Sequence, residues 1–329
     1  MSFSLRLHQY SDTFDTLSYD KKPSQIVEKN MVRVKLICAP INPADINMVE
    51  GKYLVKPDLP AILGNEAVGE VIEIGADVTL VKVGDRVFHP FQHAKNWIGF
   101  WQTSWIISEE DCMKVPSFFT SEQAAMLSIN PITAYMMLNS FSELKKDDWI
   151  IQNCASSAVG QWIIFLAKRM GLKTVNIIRK ESQKSFLYSI GADIVLIEQD
   201  RFSSLVEQKG QIKLALNAVG GSSAKECAKT LTDYGTMVTY GAMAKEPITL
   251  GNSLFIFRNI TLTGFNRTKW VMEQSRADII NAYHDFFKLI NLESCQIPIY
   301  KSFSLAQFKD AYKAYFDSNK FGKVLLINE

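Results

Sequence analysis

Histidine is scarce in this chain, and cysteine shows no pattern. There are four histidines, His8, His89, His93 and His284, and five cysteines, Cys38, Cys112, Cys154, Cys227 and Cys295, none in a CxxC pair. A catalytic zinc needs three His, Cys or acidic ligands at compatible spacings. His89 and His93 are four apart, but Pro90 and the strand-like context argue against one helical face. No metal site is therefore expected. An odd number of scattered cysteines fits a reducing compartment without a disulfide framework. Long apolar runs are also missing: none approaches the roughly 20 residues of a membrane-spanning helix, so no membrane partner is expected. Nor does one sign of charge dominate. Lys and Arg number 36 against 34 Asp and Glu, a net charge of +2, which gives no overall field for nucleic acid and makes any anion site local. Before Lys21 the only Lys or Arg is Arg6, with acids at Asp12, Asp15 and Asp20, unlike a signal or Arg-rich transit peptide. A cytoplasmic location is expected, or the mitochondrial matrix if a presequence has been removed.

What is present is an ordinary globular composition, 47% apolar and 21% charged, over 329 residues. That length exceeds one hydrophobic core and predicts two domains of roughly 150 residues each. Residues 31–38 alternate, with Val32, Val34 and Leu36 on one side and Arg33 and Lys35 on the other, the period of a half-buried strand. Short strands recur at 68–74 and 86–89, separated by Gly, Pro and Asp, with little helical periodicity up to about Val115. From Ser121 the texture changes. Strand-like 149–152, 174–178, 194–196, 214–218 and 236–240 alternate with helix-like 159–170, 182–190 and 224–231. Such alternation argues for parallel βαβ units and a doubly wound sheet. A helix-like stretch near 273–289 follows, then residues 304–315, and strand-like 323–327 is expected to return to the first domain.

The first strand of the alternating half runs into Asn153-Cys154-Ala155-Ser156-Ser157-Ala158-Val159-Gly160, small residues that open directly into a helix. Small side chains let backbone approach a pyrophosphate, and free amides at a helix start favour its charge. Only Gly160 survives of the usual glycine trio, so a plain strand-to-helix turn is the alternative. The second strand ends in Arg179-Lys180, where an NAD enzyme presents an acid to the ribose. Arg179 can pair with a 2′-phosphate, and Lys180 adds charge, which points to NADPH; a solvated surface pair is the alternative. Turns at 217–221 and 240–243 fall where ligand-binding loops of such a sheet lie, although Gly220, Gly221 and Gly241 also suit ordinary turns.

Leu63-Gly64-Asn65-Glu66-Ala67-Val68-Gly69, Val83-Gly84-Asp85-Arg86-Val87 and Val159-Gly160 together resemble the medium-chain dehydrogenase/reductase superfamily. The resemblance implies an α/β protein with a GroES-like β-rich catalytic domain over 1–122 and 268–329. A Rossmann NADPH-binding domain is implied over 123–267. Zinc-dependent members carry a histidine where Asn65 stands and a cysteine at about Asn42; both ligands are missing here. Within the zinc-free branch the chain is similar, over nearly its whole length, to NADPH-dependent trans-2-enoyl-CoA reductases of mitochondrial-type fatty acid synthesis. The likeness is densest at 41–45, 56–60, 108–110, 130–135, 151–153, 214–221, 235–245 and 253–257.

By that likeness Tyr53 matches the tyrosine taken as catalytic. NADPH contacts are implied for Asn130, for Ser156, Ser157, Ala158, Val159 and Gly160, and for Arg179 and Lys180. They are implied further for Tyr240, Gly241, Ala242 and Met243, for Phe265, Asn266 and Arg267, and for Lys323. Asn266 replaces an expected aromatic, and Ala158 and Ala242 replace glycines. With no metal to polarise a thioester carbonyl, hydrogen-bond donors must stabilise the enolate formed by hydride transfer. A tyrosine hydroxyl, protonated at neutral pH, suits that task. Arg267 and Lys269 are candidates for the phosphates of CoA, and the aromatics from Phe88 to Trp105 are candidates for an acyl channel or for core. The resemblance also implies a homodimer paired through Rossmann-domain edges. The competing functions are an NADPH:quinone oxidoreductase, since zinc-free quinone reductases look similar around Tyr53 and the cofactor loop, and a non-enzymatic NADPH-binding protein.

Overall fold

Residues 2–23, 25–93, 97–208, 210–293 and 295–328 are described by a computed structural model. The chain divides into two units. One comprises residues 1–129, 271–281 and 296–329, the other 130–270 and 282–295.

The first unit is β-rich. In chain order it begins with β1 (Ser2–Leu7), β2 (Leu17–Lys22), β3 (Met31–Pro40), α1 (Pro43–Val49) and β4 (Ala61–Ile62). It continues with β5 (Val68–Ile74), β6 (Arg86–Phe88), β7 (Ser104–Ser108), β8 (Met113–Lys114) and α2 (Ser121–Ala124). β1 pairs antiparallel with both β2 and β4. The alternation of residues 31–36 becomes the inner face of β3: Val32, Val34 and Leu36 are buried, and β5 and β7 pair with β3 antiparallel. Most of the aromatic stretch is core. Phe88, Phe100, Trp101 and Trp105 are buried, with Phe100 edge-on to Trp105 at 5.2 Å between centroids. Phe91 borders a cavity of about 180 Å³ together with His89, Asp111 and Arg276. The helix α1 is absent from the strand-dominated reading of this half. Its signal was present as Asn42-Pro43-Ala44-Asp45, a cap residue, a proline at the first helical position and an acid at the third.

The second unit holds α3 (Asn130–Ser140), β9 (Trp149–Gln152), α4 (Ala158–Arg169), β10 (Lys173–Ile178), α5 (Lys184–Ser189) and β11 (Ile194–Ile197). Then come β12 (Ile212–Asn217), α6 (Gly221–Thr230), β13 (Leu231–Thr239), α7 (Asn252–Ile256) and β14 (Thr261–Gly264). Its six strands are all parallel, in the order β11-β10-β9-β12-β13-β14. That is the doubly wound order whose ligands bind outside the carboxyl ends of the strands. Ile151, Val175, Ala215 and Met237 fill its core at zero exposure.

The helices α8 (Arg267–Glu273) and α9 (Arg276–Ile290) carry residues of both units. The first unit closes with β15 (Ile299–Ser304), α10 (Phe308–Tyr315) and β16 (Lys323–Ile327). β16 lies antiparallel to β3, with Leu325 opposite Pro40 and Ile327 opposite Cys38, so the last strand completes the first unit's large sheet. Among the described residues no helix is long and apolar enough to cross a membrane.

Candidate active site

In the second unit the loop after β9 is shaped by three local choices. Cys154 takes a left-handed backbone, φ 54°, which turns the chain off the strand. Ala155 N–H donates to the Ile177 carbonyl of the neighbouring strand at 3.1 Å. Ser157, extended at φ −69° and ψ 163°, then caps α4, its hydroxyl accepting from Gly160 N–H at 3.1 Å. A Cβ on Gly160 would stand 2.5 Å from the Ala155 carbonyl oxygen, so the helix start can tuck against the loop only with glycine there. Residues 156–159 are half-exposed, which leaves the first turn of a 12-residue helix open to an anion.

Arg179 and Lys180 follow the last residue of β10 directly and are both exposed. The Arg179 charge acts on the loop: burial pushes the Cys154 thiol up, and Arg179 opposes that rise. From the far side the turn after β13 reaches the same strand ends. Tyr240 N–H donates to the Asn217 carbonyl at 2.9 Å, Met243 N–H to Ala218 at 3.0 Å, and Met243 Sδ lies 3.5 Å from Cys154 Sγ. Burial holds the Tyr240 phenol well above its ordinary range, so it stays protonated. Phe265 N–H donates to the Thr239 carbonyl at 3.0 Å. Asn266, where an aromatic was expected, caps α8 by accepting from Lys269 N–H at 2.9 Å. Asn130 opens α3 and is buried, and Arg267 is buried as well. The four loops thus gather at one edge of the sheet. Small residues, an open helix start and an exposed Arg179 fit a dinucleotide with a 2′-phosphate.

A buried amide ladder, missed from sequence, fixes these loops. Asn153 Nδ2 donates to Asn217 Oδ1 at 2.8 Å and to Ser223 Oγ at 3.1 Å, while its Oδ1 accepts from Ala218 N–H at 2.7 Å. Asn217 Nδ2 continues to Thr239 Oγ1 at 3.1 Å, so the ends of β9, β12 and β13 are tied in one chain. Polar residues at the last positions of otherwise apolar strands were the available signal.

Tyr53 and Lys323 belong to the first unit. Tyr53 follows the end of α1, where Gly51 turns at φ 67° against the Tyr10 ring; a Cβ on Gly51 would meet Tyr10 Cγ at 2.9 Å. Tyr10 Oη donates to the Pro57 carbonyl at 3.1 Å, which brackets the Tyr53 turn from both sides. The Tyr53 ring is half-buried against the core of this unit.

The two positions that carry ligands in zinc-dependent relatives are used here for internal hydrogen bonding. Asn65 N–H and Nδ2 both donate to Asp45 Oδ1, at 2.9 and 2.6 Å, and Asn42 N–H donates to Asp45 Oδ2 at 2.7 Å. Asn42 Nδ2 donates to Glu66 Oε1 at 2.9 Å, and the Lys323 ammonium donates to Asn42 Oδ1. Glu66 Oε2 accepts from Ile129 N–H at 3.0 Å. Burial raises the Asp45 carboxyl to about 6, against the pull of its donors and of Lys323. Burial also lowers the Lys323 ammonium, while Glu66 and Asp45 hold it up. Two neutral amides with an ammonium between carboxylates do not fit a zinc ion. Among the described residues no group of three or more His, Cys, Asp or Glu is arranged to hold a metal.

Family models match the chain twice: residues 28–117 match the alcohol dehydrogenase GroES-like domain, and residues 158–285 match the domain described as zinc-binding dehydrogenase. The human mitochondrial enoyl-[acyl-carrier-protein] reductase is 39% identical over 293 residues, covering 84% of this chain and 75% of the human one. The Xenopus tropicalis protein of the same name is 42% identical over 79% of this chain and 77% of its own. Among solved structures, the Etr1p complex with NADP and crotonyl-CoA superposes with a TM-score of 0.85 at 27% identity, covering 99% of each chain. A quinone reductase from Bacillus thuringiensis, covering 100% of this chain and 99% of its own, shares the fold at a TM-score of 0.88 and 23% identity.

Proposed function

Because the chain belongs to the enoyl-[acyl-carrier-protein] reductase family of the medium-chain dehydrogenases/reductases, we propose that it reduces the 2,3 double bond of trans-2-enoyl thioesters with NADPH. The observation that carries this reading is 39–42% identity to enoyl reductases over 79–84% of the chain. The exposed Arg179 beside the small-residue loop favours NADPH over NADH. When bound, NADPH supplies the hydride that goes to the β-carbon. The half-exposed first turn of α4 and the Arg179 guanidinium hold its phosphates. Tyr53 donates its phenolic hydrogen to the thioester carbonyl as negative charge develops there, or passes a proton to the α-carbon.

The names of the relatives favour a mitochondrial site of action over the cytoplasm expected from composition. Import of the tagged full-length protein into isolated mitochondria checks this, and a purely cytosolic signal would reverse it.

The deciding assay follows NADPH oxidation with trans-2-hexenoyl-CoA beside a simple quinone, for the wild type and Tyr53→Phe. Thioester-dependent oxidation should fall in the variant by about two orders of magnitude, with NADPH affinity little changed. Equal turnover in the variant removes Tyr53 from the chemistry. Turnover with quinone alone makes the protein a quinone reductase, and binding without turnover makes it a nicotinamide-binding protein.

A further inference from the structure

Gln161 is the fourth residue of α4 and is 1% exposed, next to the buried Trp162, Ile163 and Ile164. Its Oε1 is buried with no hydrogen-bond partner among the described residues. An unpaired carbonyl in the interior costs stability, and an apolar side chain of similar length would avoid that cost. Packing alone therefore does not account for an amide at this position. What the amide does is reach the loop in front of its own helix: Gln161 Nε2 donates to the Ser156 carbonyl at 2.8 Å. Two other groups of that loop are committed internally, Ser157 N–H to the Cys154 carbonyl at 3.0 Å and Gly160 N–H to Ser157 Oγ at 3.1 Å. The amides of Ala158 and Val159, the first two residues of α4, have no acceptor inside the helix, and both residues are half-exposed.

We propose that Gln161 is a positioning residue for the cofactor diphosphate, its amide holding the Ser156 carbonyl against a buried side chain and so away from the anion at the start of α4. The proposal rests on the cofactor reading above. A carbonyl oxygen carries partial negative charge, and one that faced the same turn would repel a diphosphate that the helix start attracts. Ser156 is half-exposed, so without its donor the carbonyl is free to turn towards water. The 156–157 peptide would then be held only by Ser157 N–H on Cys154. The effect is local to the diphosphate. Arg179, which serves the 2′-phosphate, leaves from the end of β10 and is untouched by it.

The test titrates NADPH into wild type and Gln161→Met, with protein fluorescence as the readout, and measures adenosine 2′-monophosphate as a competitor. Thermal unfolding is followed on the same samples. In Gln161→Met the Kd for NADPH should rise about three- to tenfold, the scale of one neutral hydrogen bond. Adenosine 2′-monophosphate, which has no diphosphate, should bind as it does to wild type, and the melting temperature should be unchanged or higher. An unchanged Kd for NADPH overturns the proposal. Equal weakening of both ligands with a lower melting temperature also overturns it, by making Gln161 a structural residue of the whole domain. If Gln161→Met does not fold, Gln161→Asn carries the test: it keeps an amide but loses the reach to Ser156, and the same separation of the two ligands is expected. No thioester is involved, so failure of the enoyl-reductase reading leaves the result standing. A wild type that binds no NADPH overturns the cofactor reading and this proposal together, whereas binding that the variants do not weaken overturns the proposal alone.

Discussion

Arg179 is the side chain on which the choice of nicotinamide cofactor turns at the residue scale. It stands exposed at the carboxyl end of β10, beside the small-residue loop that opens α4. A paired contact to a 2′-phosphate contributes about 1.5–3 kcal/mol, so Arg179→Gln should raise the KM for NADPH about 10- to 100-fold. The KM for NADH should hardly move, and steady-state kinetics with both cofactors reads the difference; a parallel rise in both would assign Arg179 to loop structure instead. Asp45 offers a second test, through pH. Its folded carboxyl lies at about 6, raised first by burial from an ordinary 3.8. The folded state therefore binds its proton more tightly than the unfolded state. The resulting stability is fully present below about pH 4 and is lost as pH rises to about 6, by roughly 2–3 kcal/mol. Asp45→Asn lacks this dependence. It should be less stable than wild type at every pH through its lost acceptor, but the gap should narrow as pH rises from about 4 to 6.5 in denaturant unfolding. A constant gap would mean that Asp45 ionises as freely folded as unfolded.

The capped start of α4 is the element that converts sequence into a site. Ser157→Ala removes the acceptor for Gly160 N–H and should cost about 1 kcal/mol in unfolding measurements. Gly160→Ala should act differently, because its Cβ would press on a backbone carbonyl at 2.5 Å and the loop must move. NADPH affinity should fall more than stability does, and the reverse order would show the loop to be a plain turn. Much of this element was legible. Strand and helix alternate in the second unit because each buried parallel strand is an apolar run and each covering helix has a polar face, so period and punctuation separate them. The residues at the strand ends were placed by the same logic. The first unit was read less well, since α1 is seven residues long and announces itself only through its cap. The cluster of Asp45, Glu66 and Lys323 was not legible at all as a cluster. Lys323 and Asn42 are 281 positions apart, and nothing in local periodicity joins residues at that separation. Asn266 shows the converse: read as a missing aromatic, it is a helix cap in the structure.

At the scale of the molecule, the six-stranded sheet ends on β14, whose outer edge pairs with no other strand among the described residues. Edge strands are ordinarily shortened, charged or covered, because open N–H and C=O groups recruit another chain. Here the surroundings are apolar instead. Leu262 on β14 is exposed, as are Phe255 and Ile256 on α7, the adjoining Phe257, and Tyr234. Tyr234 N–H donates to the Arg258 carbonyl at 2.8 Å, which sets it beside that group. An apolar patch around an open edge marks an association surface, and a two-fold pairing of like edges satisfies its backbone groups in both copies at once. The open edge and its apolar surroundings predict pairing of two copies through β14. Light scattering after size exclusion should give twice the mass of one chain for the wild type. Phe257→Glu combined with Leu262→Lys should give a folded monomer, because two charges per copy would be buried without partners across the pair. A dimer that survives both substitutions would move the interface elsewhere and leave β14 as an edge protected by other means.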